Sequence, residues 1–294
     1  MPWFSYHGGH SGDFARHATG TLEEVVESAI RAGFSIYGLS EHAPRYRAED
    51  LFPDESDLGV ADLVRMFEDY VDAAVALRDR HADRIEILIG FETEVLPPED
   101  WLEKMRELRR SHPEFDYMVG SVHHVGGASI DMHPKRTAKV AEEAGGRSVL
   151  DRLYFDLVAE MVEKLRPEIV GHFDLIRKFD GAGASFGVEI WKHIERALEV
   201  IRAAGAILDV NAAPARRKLG PVYPLPPLLK RAREMGIPVT LGDDSHGPGD
   251  VGVGLDACLR AIGEAGYRRV HYLTRERGEV RRESAPLGEV RPRL

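Results

Sequence analysis

The chain has 294 residues, 43% of them hydrophobic and 30% charged, and its formal net charge is −10. This length suits a single α/β barrel, and an acidic chain without a clustered basic face argues against a nucleic-acid partner. The one cysteine, Cys258, excludes an internal disulfide; residues 1–9 show no signal-peptide pattern, and no apolar stretch has membrane-spanning length. We therefore expect a cytoplasmic protein with no membrane partner.

Short apolar segments alternate with amphipathic ones along the chain, which is typical of β/α units around a mostly parallel sheet. In chain order, strands are predicted at 3–7, 35–42, 85–94, 115–125, 168–174, 206–211 and 237–246. Helices are predicted at 21–33, 60–80, 98–110, 149–165, 188–204, 225–235 and 255–265. Thr21 and Glu24 form a capping-box pattern at the start of the first helix, and Gly33 ends it.

The C-terminal part of the chain is less regular. Residues 267–276 suit an eighth strand or an edge strand, whereas the charged and proline-containing residues 277–294 are expected to lie loosely on the surface. No repeat, low-complexity tract or linker divides the sequence. We therefore expect one domain over residues 1–294.

Residues of the metal-ligand type recur where predicted strands end. They are His7, His10, His17, His42, Glu92, His123, His172, Asp244 and His246. A lone histidine is more often a satisfied core or surface residue, but that explanation does not account for a series that follows strand after strand. The carboxyl ends of barrel strands form the active-site face, so the pattern predicts a ring of ligands there. Imidazole and carboxylate without thiolate suit divalent ions of zinc, iron or manganese.

The motifs HGGHSGDFARHA, SEHAPR, GFETE, GSVHH, GHFDL and GDDSH occur in this order between about residues 3 and 254. In these motifs the chain resembles the PHP-domain phosphoesterases, most closely the histidinol-phosphate phosphatases of that superfamily. The resemblance implies a distorted (β/α)7 barrel of the PHP type, with a trinuclear metal centre at the C-terminal face of the strands. It also implies how the ligands divide: the first metal takes His7, His10, Glu92 and Asp244, the second takes Glu92, His123 and His172, and the third takes His17, His42 and His246.

The first motif departs from the family pattern, which begins with two histidines separated by one residue. Here two glycines separate His7 from His10, and only His10 keeps the register of the following HSGDF. For His7 to reach the same metal, Gly8 and Gly9 have to form a turn or bulge. Asp13 is an alternative ligand of the third metal. A carboxylate that stabilises a turn is an equally good explanation for it.

Metals in such a centre lower the pKa of a bridging water and hold phosphoryl oxygens for in-line attack, so no protein nucleophile is required. Glu92, as the bridging ligand, and Asp244 are therefore the expected catalytic carboxylates. Asp243 and His124 flank ligands and are candidates for protonating the leaving alkoxide. Glu94 is a further candidate for this role, and an ion pair at the rim is the alternative explanation for it.

A phosphate substrate also calls for cations at the rim of the barrel. Arg45 follows the motif of the second strand, and Arg216 and Arg217 follow the sixth strand. For each of these a solvated loop charge is the simpler explanation, but we expect Arg45 and at least one of the other two to bind substrate. Asn211, at the tip of the sixth strand, is a further candidate for orienting substrate.

These observations favour a metal-dependent phosphomonoester hydrolase that acts on a small phosphorylated metabolite, and the resemblance alone implies L-histidinol phosphate. One alternative is a PHP-type phosphodiesterase or exonuclease, which the acidic balance disfavours. Another is a PHP domain that has lost catalysis and serves as an interaction module, which should leave gaps in the ligand set. The identity of the metals and the oligomeric state stay open.

Overall fold

The structure, a computed structural model, describes residues 2–181, 183 and 185–292. Its strands are β1 Phe4–Ser5, β2 Ile36–His42, β3 Glu86–Glu92, β4 Tyr117–Gly120, β5 His124–Val125, β6 Ala128–Ser129, β7 Ile169–Val170, β8 Ile207–Asn211, β9 Val239–Gly242, β10 Arg269–Glu276 and β11 Glu279–Pro286. Its helices are α1 Leu22–Arg31, α2 Val60–Arg80, α3 Trp101–Ser111, α4 Pro134–Glu143, α5 Arg147–Leu165, α6 Val188–Ala204, α7 Ala213–Arg216, α8 Pro226–Glu234 and α9 Leu255–Glu264. Within the described part of the chain, no helix combines the length and the apolar character needed to cross a membrane.

Seven parallel strands form one sheet in the order β1-β2-β3-β4-β7-β8-β9. The amide of Tyr6 donates to the carbonyl of Leu241 at 3.1 Å, which joins the first strand region to the last and nearly closes the sheet into a barrel. The predicted (β/α)7 barrel is thus confirmed. Because β2 and β3 pair in parallel register up to His42 and Glu92, these two residues lie side by side at the carboxyl end.

The interior of the barrel is filled by the buried ring of Tyr117, whose hydroxyl donates to the carbonyl of Tyr6 at 2.7 Å. Glycine is required opposite this ring. A Cβ at Gly38 would lie 2.3 Å from the Tyr117 hydroxyl, and one at Gly90 would lie 2.8 Å from the ring. The apolar segments of the sequence therefore form a packed core beneath the carboxyl ends of the strands.

The first helix begins as its sequence predicts. The Thr21 hydroxyl accepts from the amide of Glu24 at 3.2 Å, and the Glu24 carboxylate accepts from the amide of Thr21 at 2.8 Å. This reciprocal capping box satisfies two amides that the helix itself leaves unpaired. Gly33 follows the helix with φ of 76°, in the left-handed region that glycine adopts without strain.

The region after the fourth strand is more ordered than its polar sequence suggested. We predicted one strand over 115–125, but β4 ends at Gly120, and His124–Val125 pairs antiparallel with Ala128–Ser129 in a short hairpin. Gly126 and Gly127, with φ of 58° and 79°, form its turn. Between this hairpin and the predicted helix at 149–165, a polar segment for which no element was predicted contains helix α4.

The prediction that residues 277–294 lie loosely is wrong for Glu279–Pro286. These residues form β11, which pairs antiparallel with β10 over its whole length in a separate two-stranded sheet. The hairpin packs at the amino ends of the barrel strands: Tyr272 stacks on Phe4 at 5.3 Å, and the Thr274 hydroxyl donates to Glu86 at 2.9 Å. Residues 267–276 are therefore not an eighth strand of the barrel.

Candidate metal centre

Glu92, at the carboxyl end of β3, is 1% exposed and lies in the middle of a group of histidines. Its Oε1 is 3.0 Å from both His7 Nε2 and His172 Nε2, and 3.2 Å from His123 Nε2. Its Oε2 is 3.1 Å from His42 Nδ1. One carboxylate thus faces imidazoles on both of its oxygens, as the prediction that Glu92 is shared between metals requires.

The predicted ligands form four overlapping groups. Within each group, the donor atoms all lie within 4.8 Å of one another. The groups are His10, His42 and His246; His7, His10 and Asp244; His7, Glu92 and His172; and His42, Glu92 and His123. They contain every predicted ligand except His17, which is the most exposed member of the series and whose Nε2 lies 3.3 Å from His42 Nε2. The structure therefore brings the whole series to one place.

The glycine turn that the first motif required is present. Gly8 and Gly9 have φ of 134° and 79°, so the backbone turns between His7 and His10 and both side chains reach the cluster. Space also demands glycine here, because a Cβ at Gly8 would lie 2.5 Å from Asp243 Oδ1 and one at Gly9 would lie 2.7 Å from Leu39. Asp13 takes the other role considered for it: its carboxylate accepts from the amide of Leu22 at 2.9 Å, at the start of α1.

The donor set fits divalent cations. His10 Nε2 is buried without a hydrogen-bond partner among the described residues. His123 Nε2 and His172 Nε2 lie 3.2 Å apart. Without a metal, one of these nitrogens has to carry a proton and donate it to the other, whereas with metals bound both can act as lone-pair donors. Imidazole and carboxylate donors without thiolate are those that zinc, iron and manganese accept.

Electrostatics keep the central carboxylate ionised. Burial would raise the pKa of Glu92, but the contacts with His7, His123 and His42 hold that pKa well below its usual value. Burial and the nearby His10 lower the pKa of both His42 and His246 well below the usual value for histidine. Burial would lower the pKa of His7, His10 and His123, but the adjacent carboxylates Glu92, Glu41 and Glu94 raise it above the usual value for histidine. A metal binds the neutral imidazole, so binding at these three residues would release protons.

A cavity of about 330 Å³ opens above the cluster. Part of its wall is apolar and is formed by Phe52, Met132, Leu175, Ala213, Pro214, Leu219 and Tyr223. Two cations, Lys178 and Arg217, and three carboxylates, Asp54, Glu94 and Asp131, also line it. The cavity therefore combines a floor of metal-ligand side chains with cations and an apolar wall.

Of the predicted substrate-binding residues, Arg217 lines this cavity and the other three do not. Arg45 is 6% exposed, forms an ion pair with Glu55 and lies 4.4 Å above the ring of Phe52, so the prediction that it stands at an open rim is wrong. Arg216 donates to the backbone carbonyl of Asp244 at 2.7 Å. It thus supports the turn that carries a predicted ligand.

Asn211 is completely buried, and its amide donates to Asp209 at 3.0 Å and to Asp244 at 3.3 Å. It therefore orients carboxylates beneath the cavity, and we correct its predicted role as a substrate contact. Asp243 is also completely buried and accepts from the hydroxyl of Tyr37 at 3.0 Å and from the amide of Gly252 at 2.8 Å. Asp243 does not line the cavity, so these bonds give it a structural role in place of the predicted role as the acid for a leaving group.

His124 and Glu94 form a pair beside the cluster. His124 is 4% exposed and its Nδ1 lies 3.2 Å from Glu94 Oε2, while Glu94 Oε1 lies 3.0 Å from His123 Nδ1. Glu94 lines the cavity and His124 does not. Glu94 therefore lies beside His123 at the cavity wall, whereas His124 does not line the cavity.

Sequence reasoning missed three side chains of the site. Lys178, which pairs with Asp131 at 3.0 Å, follows the motif of the fifth strand just as Arg45 follows that of the second, and the same signal would have found it. Asp209 and Glu41 are buried carboxylates inside apolar strands. Such residues are rarely buried without a partner, and this rule would have drawn attention to both.

The fold and the site together define a (β/α)7 barrel with a cluster of side chains suited to several divalent metals. A family model described as "PHP domain" matches residues 7–213. The chain belongs to the PHP domain family, which confirms the resemblance seen in its motifs.

Among curated proteins, the chain is 39% identical over 249 residues to the "Probable histidinol-phosphatase" of Schizosaccharomyces pombe, covering 83% of this chain and 81% of that protein. It is 29% identical over 291 residues to the "Histidinol-phosphatase" of Saccharomyces cerevisiae, covering 87% of each. A crystal structure of a candidate histidinol phosphatase from Listeria monocytogenes superposes with a TM-score of 0.74 at 27% identity, over 86% of this chain and 98% of that one. The fold also matches histidinol phosphate phosphatase from Lactococcus lactis, crystallised with zinc, L-histidinol and phosphate, with a TM-score of 0.66 at 18% identity over 95% and 98% of the two chains.

Proposed function

We propose that the protein is a metal-dependent phosphomonoester hydrolase that converts L-histidinol phosphate and water into L-histidinol and phosphate. The observation that carries the proposal is the position of Glu92, surrounded by histidines at the floor of a cavity whose walls also carry two cations. The choice of substrate rests on the curated relatives, which are named for this activity and match more than four-fifths of the chain.

We propose that His7, His10, Glu92, Asp244 and the other clustered histidines hold two to three divalent ions, with zinc, iron and manganese as the candidates. When bound, such ions lower the pKa of a coordinated water and neutralise the charge of a phosphoryl group. We also propose a cytoplasmic location, on the ground that the single cysteine leaves no internal disulfide to form.

Lys178 and Arg217 line the same cavity as the cluster and are suited to the phosphate group. A guanidinium binds phosphate through two parallel hydrogen bonds, whereas an ammonium acts as a point charge. Asp131, 3.0 Å from the Lys178 amine, keeps that amine at the cavity wall. These cations hold the phosphate over the cluster and thereby orient its ester bond.

The rest of the cavity suits the organic part of the substrate. Phe52, Leu175 and Tyr223 provide an apolar wall for a flat ring such as imidazole, and Asp54 adds a carboxylate that can accept from an amine. A cavity of about 330 Å³ accommodates a small metabolite.

A PHP domain that has lost catalysis should have gaps in its ligand set. Instead, every predicted ligand side chain lies in or beside the cluster, which supports an enzyme.

The test is phosphate release from metal-loaded protein with a panel of phosphorylated metabolites that includes L-histidinol phosphate, beside p-nitrophenyl phosphate and its bis-ester. We expect turnover of the monoesters and the highest kcat/KM with L-histidinol phosphate. Preferential turnover of the bis-ester would favour the phosphodiesterase alternative. Protein that binds metals and hydrolyses none of these compounds would overturn the proposal.

A further inference from the structure

Asp209 lies in the middle of β8, completely buried, and makes a direct contact with the first predicted ligand. Its Oδ2 is 2.7 Å from His7 Nδ1, while the other nitrogen of the same ring, Nε2, is 3.0 Å from Glu92. An ionised carboxylate can only accept, so it selects the form of the imidazole with a proton on Nδ1. The lone pair of His7 Nε2 then points toward the cluster.

Glu41, on β2, repeats this arrangement with the second histidine of the motif. It is 2% exposed, and its Oε1 lies 2.9 Å from His10 Nδ1. The opposite nitrogen, His10 Nε2, has no hydrogen-bond partner among the described residues and lies 3.8 Å from Glu92 Oε2. Each histidine of the irregular first motif thus contacts a buried carboxylate through Nδ1, the ring nitrogen on the side away from Glu92.

The His7–Asp209 pair occupies space that only glycine leaves free. A Cβ at Gly242 would lie 2.3 Å from Asp209 Oδ1 and 2.8 Å from His7 Cβ, and one at Gly171 would lie 2.8 Å from His7 Cε1. The amide of Asn211 donates to Asp209 Oδ2 at 3.0 Å and thereby restrains the carboxylate. Two glycines therefore make room for the pair, and an amide holds the carboxylate by a hydrogen bond.

We propose that Asp209 and Glu41 are positioning residues that fix the ring form and orientation of His7 and His10 and so determine how tightly the centre retains its metals. The proposal rests on the metal-dependent function proposed above. A carboxylate behind a ligating imidazole both orients the ring and increases its basicity, and loss of such a partner typically costs about 10–100-fold in metal affinity. The metal affinity of the centre is therefore set partly by residues that touch neither metal nor substrate.

The test uses Asp209→Ala, Asp209→Asn and Glu41→Ala in the full-length protein. Metal affinity is measured by competition with a chelator, with zinc and manganese as separate probes, and the melting temperature is measured with and without each metal. We expect about 10–100-fold weaker retention of at least one ion in the alanine variants. Asp209→Asn keeps an acceptor oxygen and should lie between Asp209→Ala and the unchanged protein.

The matched control is Asp151→Asn. Asp151 is 3% exposed and pairs with Arg147 at 2.7 Å on helix α5, so the variant also neutralises a buried carboxylate. It should lower the melting temperature with and without metal alike and leave metal affinity unchanged. The same behaviour in the Asp209 and Glu41 variants would overturn the proposal. Because affinity is read without substrate, an unchanged protein that binds metals and lacks phosphatase activity would refute the proposed function alone.

Discussion

At Glu92, one buried carboxylate faces nitrogen atoms of four histidines, and this environment decides what the residue can do. The same type of side chain at Glu68, 56% exposed, makes only a single contact among the described residues, of 3.0 Å with His112 Nε2. Arg216 and Arg217 differ in the same way, since one supports a backbone turn and the other lines the cavity. Residue type alone therefore does not determine function at these positions.

We expect Glu92→Gln to lose metal and to lower kcat by more than tenfold, which corresponds to about 1.4 kcal/mol in the barrier. The amide keeps the size of the side chain but removes the negative charge that would attract two cations. Metal analysis and steady-state kinetics measure the two effects. Glu68→Gln, which also removes a carboxylate beside a histidine, serves as the control and should change neither. A Glu92→Gln protein that keeps full metal content and activity would rule out a bridging ligand.

Arg217→Ala should raise KM for the phosphate substrate by about tenfold or more and leave metal content unchanged, because losing a charged hydrogen-bond partner costs about 1.5–3 kcal/mol. Arg216→Ala should instead lower metal content, since its guanidinium holds the carbonyl of Asp244. Kinetics and metal analysis on both variants separate these outcomes. Lys218→Ala is the control for lost surface charge next to them. Identical behaviour of all three variants would contradict the two assigned roles.

At the scale of elements, the alternation of strands and helices was predictable because each buried face imposes its own period on the sequence. Helix α6 occupies the predicted residues 188–204. Strand β11 was missed because half of its residues are exposed and charged, with Ala285 buried and few other apolar positions to mark a period. Its pairing with β10, through a turn at Arg277 and Gly278, identifies it as a strand.

The β10–β11 hairpin carries a pH-dependent contribution to stability. Burial, followed by Arg282 and Arg269, lowers the pKa of His271 to about 4 in the folded protein, against about 6.5 in an unfolded chain. Between these two values the unfolded chain binds a proton that the folded protein does not, so stability falls as pH falls through the window and the loss is complete below about pH 4. Above about pH 6.5 neither state binds this proton.

His271→Gln removes this titration while keeping a polar side chain. The melting temperature of the variant should therefore rise relative to that of the unchanged protein as pH is lowered from about 6.5 to about 4. Measuring both proteins across this range cancels acid effects that they share, including those of the metal centre. A constant difference between the two melting temperatures would show that His271 does not contribute.

At the scale of the whole molecule, the metal centre joins segments from both ends of the chain. The carbonyl of His7 accepts from the amide of Asp244 at 2.7 Å, and both side chains belong to one group of ligands. Ions held by this group would link the first strand region to the last, where the barrel closes. We therefore expect metal binding and barrel closure to be coupled.

Removal of the metals should lower the melting temperature by several degrees, because an ion that binds only the folded state stabilises it by about 2.7 kcal/mol at 100 times its dissociation constant. Calorimetry before and after treatment with a chelator measures the change, and adding back the metal should restore it. Glu92→Gln should show a smaller change than the unchanged protein. Equal melting temperatures with and without chelator would contradict the coupling.

The barrel architecture and the series of ligand-type residues could be predicted from the sequence, because periodicity and strand-end motifs are local properties of the chain. Three other features depend on the folded chain: Asp209 contacts His7 across 202 residues of sequence, Arg45 pairs inward with Glu55, and the C-terminal residues form a hairpin. The physical reason is that a side chain's partners depend on which strands become neighbours when the barrel closes. Residues that are interchangeable in a sequence pattern then acquire different roles.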